Sequence, residues 1–284
     1  MPARPDPRGA VTLLIGAGRM GTALLKGWAA SGIGPIVAVE PNPGADLRAF
    51  ARRSGIHLLT RIERMDAPRV RACVVAIKPQ ILKSEAARFR DIAQSGAVMV
   101  SIVAGTSIAA LRKDWGRGAC VIRAMPNTPG SIGKGISALY APRGTSPRAR
   151  ALAESLVAGL GQTLWVSGEN LIDAVTAVSG SGPAYVFLFA ECVAGAARAQ
   201  GLPRDTADRL ARATISGAGA LLDCDPRGPQ ELRRDVTSPG GTTEAALQVL
   251  TKNEALGRLV SEAVCAARQR ATELREEAET HRAK

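Results

Sequence analysis

Aromatic residues make up only 3% of this 284-residue chain: three Trp, two Tyr and four Phe. That scarcity removes the stacking platforms on which binding of single-stranded nucleic acid depends. Histidine is nearly absent, with His57 and His281 far apart and without metal-like partners. Neither a metal site nor a Ser-His-Asp set is therefore expected. The cysteines, Cys73, Cys120, Cys192, Cys224 and Cys265, form no C-x-x-C pair. Their apolar neighbours suggest buried free thiols in a reduced compartment instead of a disulfide framework. No run approaches the ~18 uninterrupted apolar residues of a membrane span. The Pro- and Arg-rich segment 1–9 lacks the apolar stretch of a signal peptide. These absences give the expectation of a soluble, cytoplasmic protein with no metal and no membrane partner.

Lysine is also scarce, at 7 against 30 arginines, yet the net charge is +12. The basic residues are spread along the chain, with local concentrations at 48–53, 61–71 and 143–150. A diffuse Ala/Gly/Arg bias explains this better than a nucleic-acid stripe, so no nucleic-acid partner is expected.

The first segment rich in information is Val11-Thr12-Leu13-Leu14-Ile15-Gly16-Ala17-Gly18-Arg19-Met20-Gly21. A short apolar, β-branched run feeds G-x-G-x-x-G, and a helical pattern follows, which is the context that a dinucleotide-binding turn requires. Gly16 is expected to make the tight turn, Gly18 to let a pyrophosphate approach, and Gly21 to let helix and strand pack closely. The next apolar run, 36–39, ends in Glu40, roughly 20 residues past the fingerprint, where a carboxylate binds the ribose hydroxyls. The alternative for Glu40 is an ordinary surface carboxylate at a strand end.

Near the other end lies Asp235-Val236-Thr237-Ser238-Pro239-Gly240-Gly241-Thr242-Thr243, followed by a helical pattern. Alone, it reads as a capped loop. In a chain that also carries a dinucleotide fingerprint, it reads as a small-anion site, because unpaired N–H groups and the helix dipole converge on such a turn.

Between these ends, strands alternate with helices: strands near 56–59, 72–77, 97–102, 120–123, 135–140 and 163–166, with helices from 45, Pro79, Ile108 and Pro147. That alternation predicts a doubly wound parallel sheet over residues 1–166. From Glu169 the strand signals vanish, and Ala- and Gly-rich helices are expected at 183–200, 204–222 and 253–282. Such a region, 167–284, buries its apolar faces poorly by itself, which points to a homo-oligomer joined through the C-terminal helices.

Aligned together, these segments resemble the pyrroline-5-carboxylate reductase family. The resemblance rests on the glycine fingerprint, on Met125-Pro126-Asn127-Thr128-Pro129, on Ser179-Gly180-Ser181-Gly182-Pro183-Ala184-Tyr185, and on Ser238-Pro239-Gly240-Gly241-Thr242-Thr243. It implies a Rossmann-type doubly wound N-terminal α/β domain followed by an all-α C-terminal dimerisation domain, with active sites at a subunit interface. It also implies NADPH- or NADH-dependent reduction of 1-pyrroline-5-carboxylate to proline. On the cofactor side it implies contacts from Gly16, Gly18, Arg19, Met20, Gly21, Glu40 and the Lys78-Pro79 pair. Met125, Asn127 and Thr128 are implied at the nicotinamide end, with Asn127 bonding the adjacent ribose or the carboxamide. Ser238, Gly240, Gly241, Thr242 and Thr243 are implied around the substrate, Thr243 as proton donor to the ring nitrogen.

Many relatives that prefer NADPH carry small or basic residues where this chain has Glu40-Pro41-Asn42, so NADH is expected to serve at least as well. Arg48 or Arg52 is the expected rescue for NADPH. Other readings of the same residues are a reductase of a different cyclic imine, a hydroxyacid dehydrogenase, and a noncatalytic nicotinamide-binding protein. A hydroxyacid dehydrogenase needs a lysine early in the second domain, and residues 169–222 contain none.

Overall fold

The computed structural model describes residues 10–62 and 69–280. Segment 1–9, part of the basic stretch 61–71, and the last turn expected for the C-terminal helix lie outside the described residues. Two compact units emerge: residues 10–180 together with 267–280, and residues 181–266.

The first unit is built on an eight-stranded sheet of order β3-β2-β1-β4-β5-β6-β7-β8. The strands are β1 (Val11–Ile15), β2 (Ile36–Val39), β3 (His57–Leu59), β4 (Val70–Val75), β5 (Val98–Ser101), β6 (Cys120–Met125), β7 (Gly135–Tyr140) and β8 (Gly161–Trp165). Between them run α1 (Arg19–Ala30), α2 (Ala45–Arg53), α3 (Pro79–Glu85), α4 (Arg90–Gln94), α5 (Ile108–Trp115) and α6 (Pro147–Ala158). Strand order reverses between β1 and β4, which opens a crevice at the carboxyl ends of the strands, where open α/β sheets bind ligands.

The period-2 alternation of each strand splits the core between the two faces of the sheet. Leu14 joins Leu24, Trp28, Val74, Ile122 and Leu156 in one cluster. Leu13 and Ile15 join Val75, Leu82, Met99, Leu111, Trp115 and Val121 in the other. The two buried indoles keep partners: Trp28 Nε1 donates to the Leu156 carbonyl at 2.6 Å and Trp115 Nε1 to the Ala86 carbonyl at 3.0 Å. Burying an indole without an acceptor would forfeit part of the gain from burying its ring.

The sheet departs from the all-parallel expectation at one pair. β7 runs antiparallel to β6, with Arg123 opposite Tyr140 and Met125 opposite Ala138. The connection between them, residues 126–134, is too short to carry a crossover, so the chain must turn straight back.

The second unit holds α8 (Gly182–Ala199), α9 (Arg204–Cys224), α10 (Pro229–Asp235), α11 (Thr242–Thr251) and the first part of α12 (Ala255–Thr280). α8 and α9 pair through small residues, with Ala194, Ala207 and Ala211 buried. Larger apolar side chains face outward, among them Phe187, Leu188, Leu210, Val249 and Leu259. The expectation of uniformly buried thiols fails for the same reason. Cys73 is buried, but Cys192, Cys224 and Cys265 are exposed on these helices, whose apolar faces nothing in the unit covers.

The last turns of α12 return to the sheet unit. There Asp173, buried on α7 (Leu171–Val175), accepts from Arg275 Nε at 3.0 Å, and Thr272 Oγ1 lies 3.4 Å away. Leu274 packs against Gly105. One helical run, Leu171–Ala199, is long and apolar enough by length and composition to cross a membrane.

Candidate active site

The glycine turn is wedged between strand ends. Gly16 has φ +89°, and a Cβ there would lie 2.7 Å from Ile77 Cγ2 and 2.8 Å from the Ala76 carbonyl oxygen. A Cβ on Gly21 would collide with the Gly16 carbonyl oxygen, so α1 can approach β1 only with glycine at that position. Gly18, in contrast, has nothing within 4 Å of its added Cβ. It is the N-cap residue of α1, with no side-chain cap and no acidic residue in the first turn. The first-turn N–H groups of α1 thus have no side-chain cap and start beside open space at Gly18, exposed Arg19 and half-buried Met20, an arrangement that suits an anion.

Glu40 does more than end β2. Its Oε2 accepts from the Ala17 N–H at 2.9 Å and its Oε1 from the Asn42 N–H at 3.2 Å, tying the glycine turn to the second strand. Across the crevice, exposed Lys78 is the N-cap of α3 and Pro79 occupies its first turn, as expected of proline there. A cavity of about 440 Å³ opens at these strand ends, with Ile15, Gly16, Pro41, Arg61, Ile77 and Arg88 among its walls. The cradle therefore fits an adenosine pyrophosphate: room at the switch point, free N–H groups at a helix start, and glycine wherever backbone must come close.

The Met125–Thr128 turn closes β6. The Asn127 carboxamide accepts from the Ile136 N–H at 2.9 Å and donates through Nδ2 to the Ser179 carbonyl at 3.1 Å. One Nδ2 hydrogen remains after those bonds. Thr128 is exposed and starts a 3-10 turn, Thr128–Ile132. Ser179 and Gly180 belong to a π-helical turn, Thr176–Gly180. A Cβ on Gly180 would lie 3.0 Å from Met125 Cε. Two motifs distant in sequence thus meet, joined by Asn127. Beneath them lies an ion pair that no sequence pattern signalled. Arg123, 2% exposed, donates to Glu169 Oε1 at 3.1 Å, and the same oxygen accepts from the Ile108 N–H at 2.7 Å. One carboxylate oxygen thus serves the strand of the M-P-N-T-P turn and the start of α5.

In the helical unit, the Ser238–Thr243 turn is held by its own neighbourhood. Gly240 has φ +70°, and its N–H donates to Glu244 Oε2 at 2.7 Å. The Gly241 N–H donates to the Ser238 carbonyl at 3.0 Å, and Thr237 Oγ1 donates to the Arg233 carbonyl at 2.6 Å. Gly241 is the N-cap residue of α11 without any side-chain cap. The N–H groups and hydroxyls of Thr242 and Thr243 are left without a partner among the described residues. Of the residues expected around an anion, these two and the Ser238 hydroxyl keep their donors among the described residues, whereas Gly240 and Gly241 shape the turn.

Upstream, Arg227 grips both sides of α10. It donates to Asp225 Oδ2 at 2.8 Å and to Asp235 Oδ2 at 2.6 Å. The Arg227 guanidinium beside Asp225 holds that carboxyl down at about 2. Neither Glu244 nor Arg227 stood out in the sequence. The signal was there for Glu244, since a carboxylate just inside a helix start often reaches back to a free N–H.

A doubly wound sheet with a glycine turn, an open helix start and a carboxylate at the second strand end defines a nicotinamide-dependent oxidoreductase. In agreement, residues 11–105 match the family described as NADP oxidoreductase, coenzyme F420-dependent, and residues 169–274 match pyrroline-5-carboxylate reductase dimerisation. The chain is 39% identical over 265 residues to the pyrroline-5-carboxylate reductase of Pseudomonas aeruginosa, covering 93% of this chain and 96% of that protein. The solved pyrroline-5-carboxylate reductase of Coxiella burnetii superimposes with a TM-score of 0.86 at 34% identity, covering 94% of this chain and 99% of that one. The Plasmodium falciparum enzyme, solved with NADP bound, gives a TM-score of 0.76 at 26% identity over 94% of this chain and 98% of that one. The chain belongs to the pyrroline-5-carboxylate reductase family.

Proposed function

We propose that this protein reduces 1-pyrroline-5-carboxylate to L-proline, the last step of proline biosynthesis, as a cytoplasmic homo-oligomer. Beyond family membership, the observation that carries the reading is the start of α11. Thr242 and Thr243 present N–H and hydroxyl donors without partners among the described residues, on a turn that Glu244 holds through Gly240.

When bound, the reduced nicotinamide supplies the hydride. The chain's own residues do the rest. Thr242 and Thr243 receive the substrate carboxylate with neutral donors, which fixes the ring without cancelling the charge of a protonated imine. A protonated imine is already electrophilic, so orientation is most of what catalysis requires. For an imine that arrives unprotonated, the Thr243 hydroxyl is the proton donor to the ring nitrogen, whose lone pair is then available to receive it. Gly16, Gly18, Arg19, Met20 and Gly21 hold the pyrophosphate, and Glu40 the adenosine ribose. Lys78-Pro79, Met125, Asn127 and Thr128 border the nicotinamide half, Asn127 through its remaining amide hydrogen. Residues 1–166 serve the cofactor and 167–284 serve substrate and dimerisation. A second copy covers the outward apolar faces of α8, α9, α11 and α12, including the apolar Leu171–Ala199 run, so no membrane is needed to account for them. With a carboxylate at Glu40, NADH is used at least as well as NADPH.

Loss of NADH and NADPH absorbance on adding 1-pyrroline-5-carboxylate tests this directly, with the six-membered homologue as comparison. Rapid turnover of the five-membered imine is the expected result. Reduction of only the six-membered imine would overturn the substrate assignment, and an NADPH preference above about tenfold in kcat/KM, ~1.4 kcal/mol, would overturn the cofactor one. Thr243→Ala should lower kcat by about 10- to 100-fold; full turnover in that variant removes Thr243 from the mechanism.

A further inference from the structure

We propose that Arg61 is the cation that receives the ribose 2′-phosphate of NADPH, so that a cleft carrying Glu40 accepts both nicotinamide dinucleotides. The inference rests on reading the cavity at the sheet's switch point as the adenosine site. A carboxylate at the end of the second strand accepts ribose hydroxyls and repels a phosphate in the same place. A site with Glu40 that also serves NADPH therefore needs a compensating positive group, in reach and not already engaged.

The structure narrows the choice among the arginines near this edge of the sheet. Arg48, one of the two expected rescuers, donates Nε to the Pro43 carbonyl at 2.9 Å and is not among the residues that line the cavity. Arg52, the other, lies in the last turn of α2 and is not among the residues that line the cavity. Arg88 does line it, but is paired with Glu85 at 2.7 Å, and Glu85 lines the same wall. Arg61 follows β3 directly, is exposed, lines the cavity beside Thr60 and Ile62, and has no hydrogen bond or ion pair among the described residues. Among the described lining residues, Arg88 and Glu85 offset each other and Arg61 is the charge that remains.

Glu40 is placed so that the two groups can coexist. Both of its carboxylate oxygens accept backbone N–H groups, from Ala17 and Asn42, and it is Pro41, not Glu40, that forms the cavity wall. The carboxylate is thus partly neutralised by two N–H donors, each oxygen keeping a lone pair for a ribose hydroxyl, while Arg61 lines the open space. A guanidinium offers a fork of donors that matches phosphate oxygens, and it contributes little to a ribose that carries only hydroxyls. Arg61 should therefore set the affinity for NADPH, and with it the ratio between the two cofactors, while leaving NADH nearly unchanged.

The test is calorimetric binding of adenosine 2′,5′-bisphosphate and of 5′-AMP, which differ only in the 2′-phosphate, to the full-length protein. The expected result is that Arg61→Ala lowers the bisphosphate-to-AMP affinity ratio by about tenfold, that Arg61→Lys lowers it less, and that Arg61→Glu lowers it most. The NADPH-to-NADH ratio in kcat/KM should fall in parallel. A ratio that moves by less than about twofold in Arg61→Ala overturns the assignment while leaving the adenosine site standing. If neither nucleotide binds the unaltered protein, the adenosine site itself is wrong, and the role of Arg61 falls with it.

Discussion

Leu13, Leu24, Trp28 and Ile122 in the sheet unit are entirely buried, whereas Phe187, Leu188, Val249 and Leu259 in the helical unit are between 59% and 72% exposed. Both units draw on similar apolar side chains. A sheet with helices on both faces closes over its apolar residues within one chain. The α8–α9 pair meets through alanines and leaves its large side chains outside, as helices do when a partner will supply the second layer. A family model of dimerisation over residues 169–274 fits that pattern.

The two turns proposed to face ligands differ in the same sense. The glycine turn after β1 is shaped by the sheet: Ala76 and Ile77 crowd Gly16, and Glu40 reaches in from β2. The turn before α11 has no sheet behind it. Its geometry comes from local side chains, with Glu244 on Gly240 and Arg227 bridging Asp225 and Asp235. A turn fixed by packing should fail through steric insult, and one fixed by a few polar bonds should fail by degrees.

Substitutions can break this comparison, beginning with the largest expected effect. Leu259→Asp combined with Phe187→Asp should separate the oligomer, raising its dissociation constant by about 1,000-fold, ~4 kcal/mol, as read by light scattering across a dilution series. Retention of the native mass would mean that these faces are not the interface. In the sheet unit, Gly21→Val should cost about 2–3 kcal/mol in denaturant unfolding, because the obstacle is the Gly16 backbone and not a movable side chain. Unfolding at the native midpoint would show that α1 can slide, and would weaken the contrast between the two turns.

Effects at the polar turn should be smaller. Glu244→Ala should raise the KM for 1-pyrroline-5-carboxylate by roughly tenfold with little change in kcat, the scale of one lost helix-start bond. Glu244→Gln, which can still accept from Gly240, should restore most of it. A kcat defect without a KM change would place Glu244 in the chemistry instead.

The smallest effect concerns pH. Asp225 is held at about 2 against an ordinary 3.8, first through its side-chain bonds to Arg227. A carboxyl lowered on folding stabilises the fold above the ordinary value, and that contribution is lost as pH falls from about 3.8 toward 2. Asp225→Asn should flatten that segment of the Tm-versus-pH curve slightly, and less so at high salt, since the pair is exposed. An unchanged curve at low salt would show that the Arg227 grip is energetically idle.

Much of this was legible in the residues. The strand-turn-helix context of Gly16, Gly18 and Gly21 and the position of Glu40 follow from periods of 2 and 3.6 and from glycine's stereochemistry, all local properties. Helix α5 spans Ile108–Trp115, as its pattern predicts. The reversal of β7 was not legible, because β propensity is indifferent to strand direction and only the short connection decides it. Nor was the exposure of Cys192, Cys224 and Cys265, since an apolar neighbourhood along the chain does not say which chain will cover it. The π-turn at 176–180 leaves no periodic trace, and short helix α10 was likewise missed.

By itself the sequence determined the class of fold, the location of both turns and the family, because each depends on residue types at fixed short spacings. Only the tertiary structure decided which donors each turn still has to offer. Gly240 and Gly241 have given their N–H groups to Glu244 and Ser238, Asn127 most of its amide to Ile136 and Ser179, and Arg48 its Nε to Pro43. Among the described residues, Arg61, Thr242 and Thr243 have no partner for theirs. A hydrogen bond needs an acceptor within about 3 Å, and sequence spacing does not fix which long-range partners come that close.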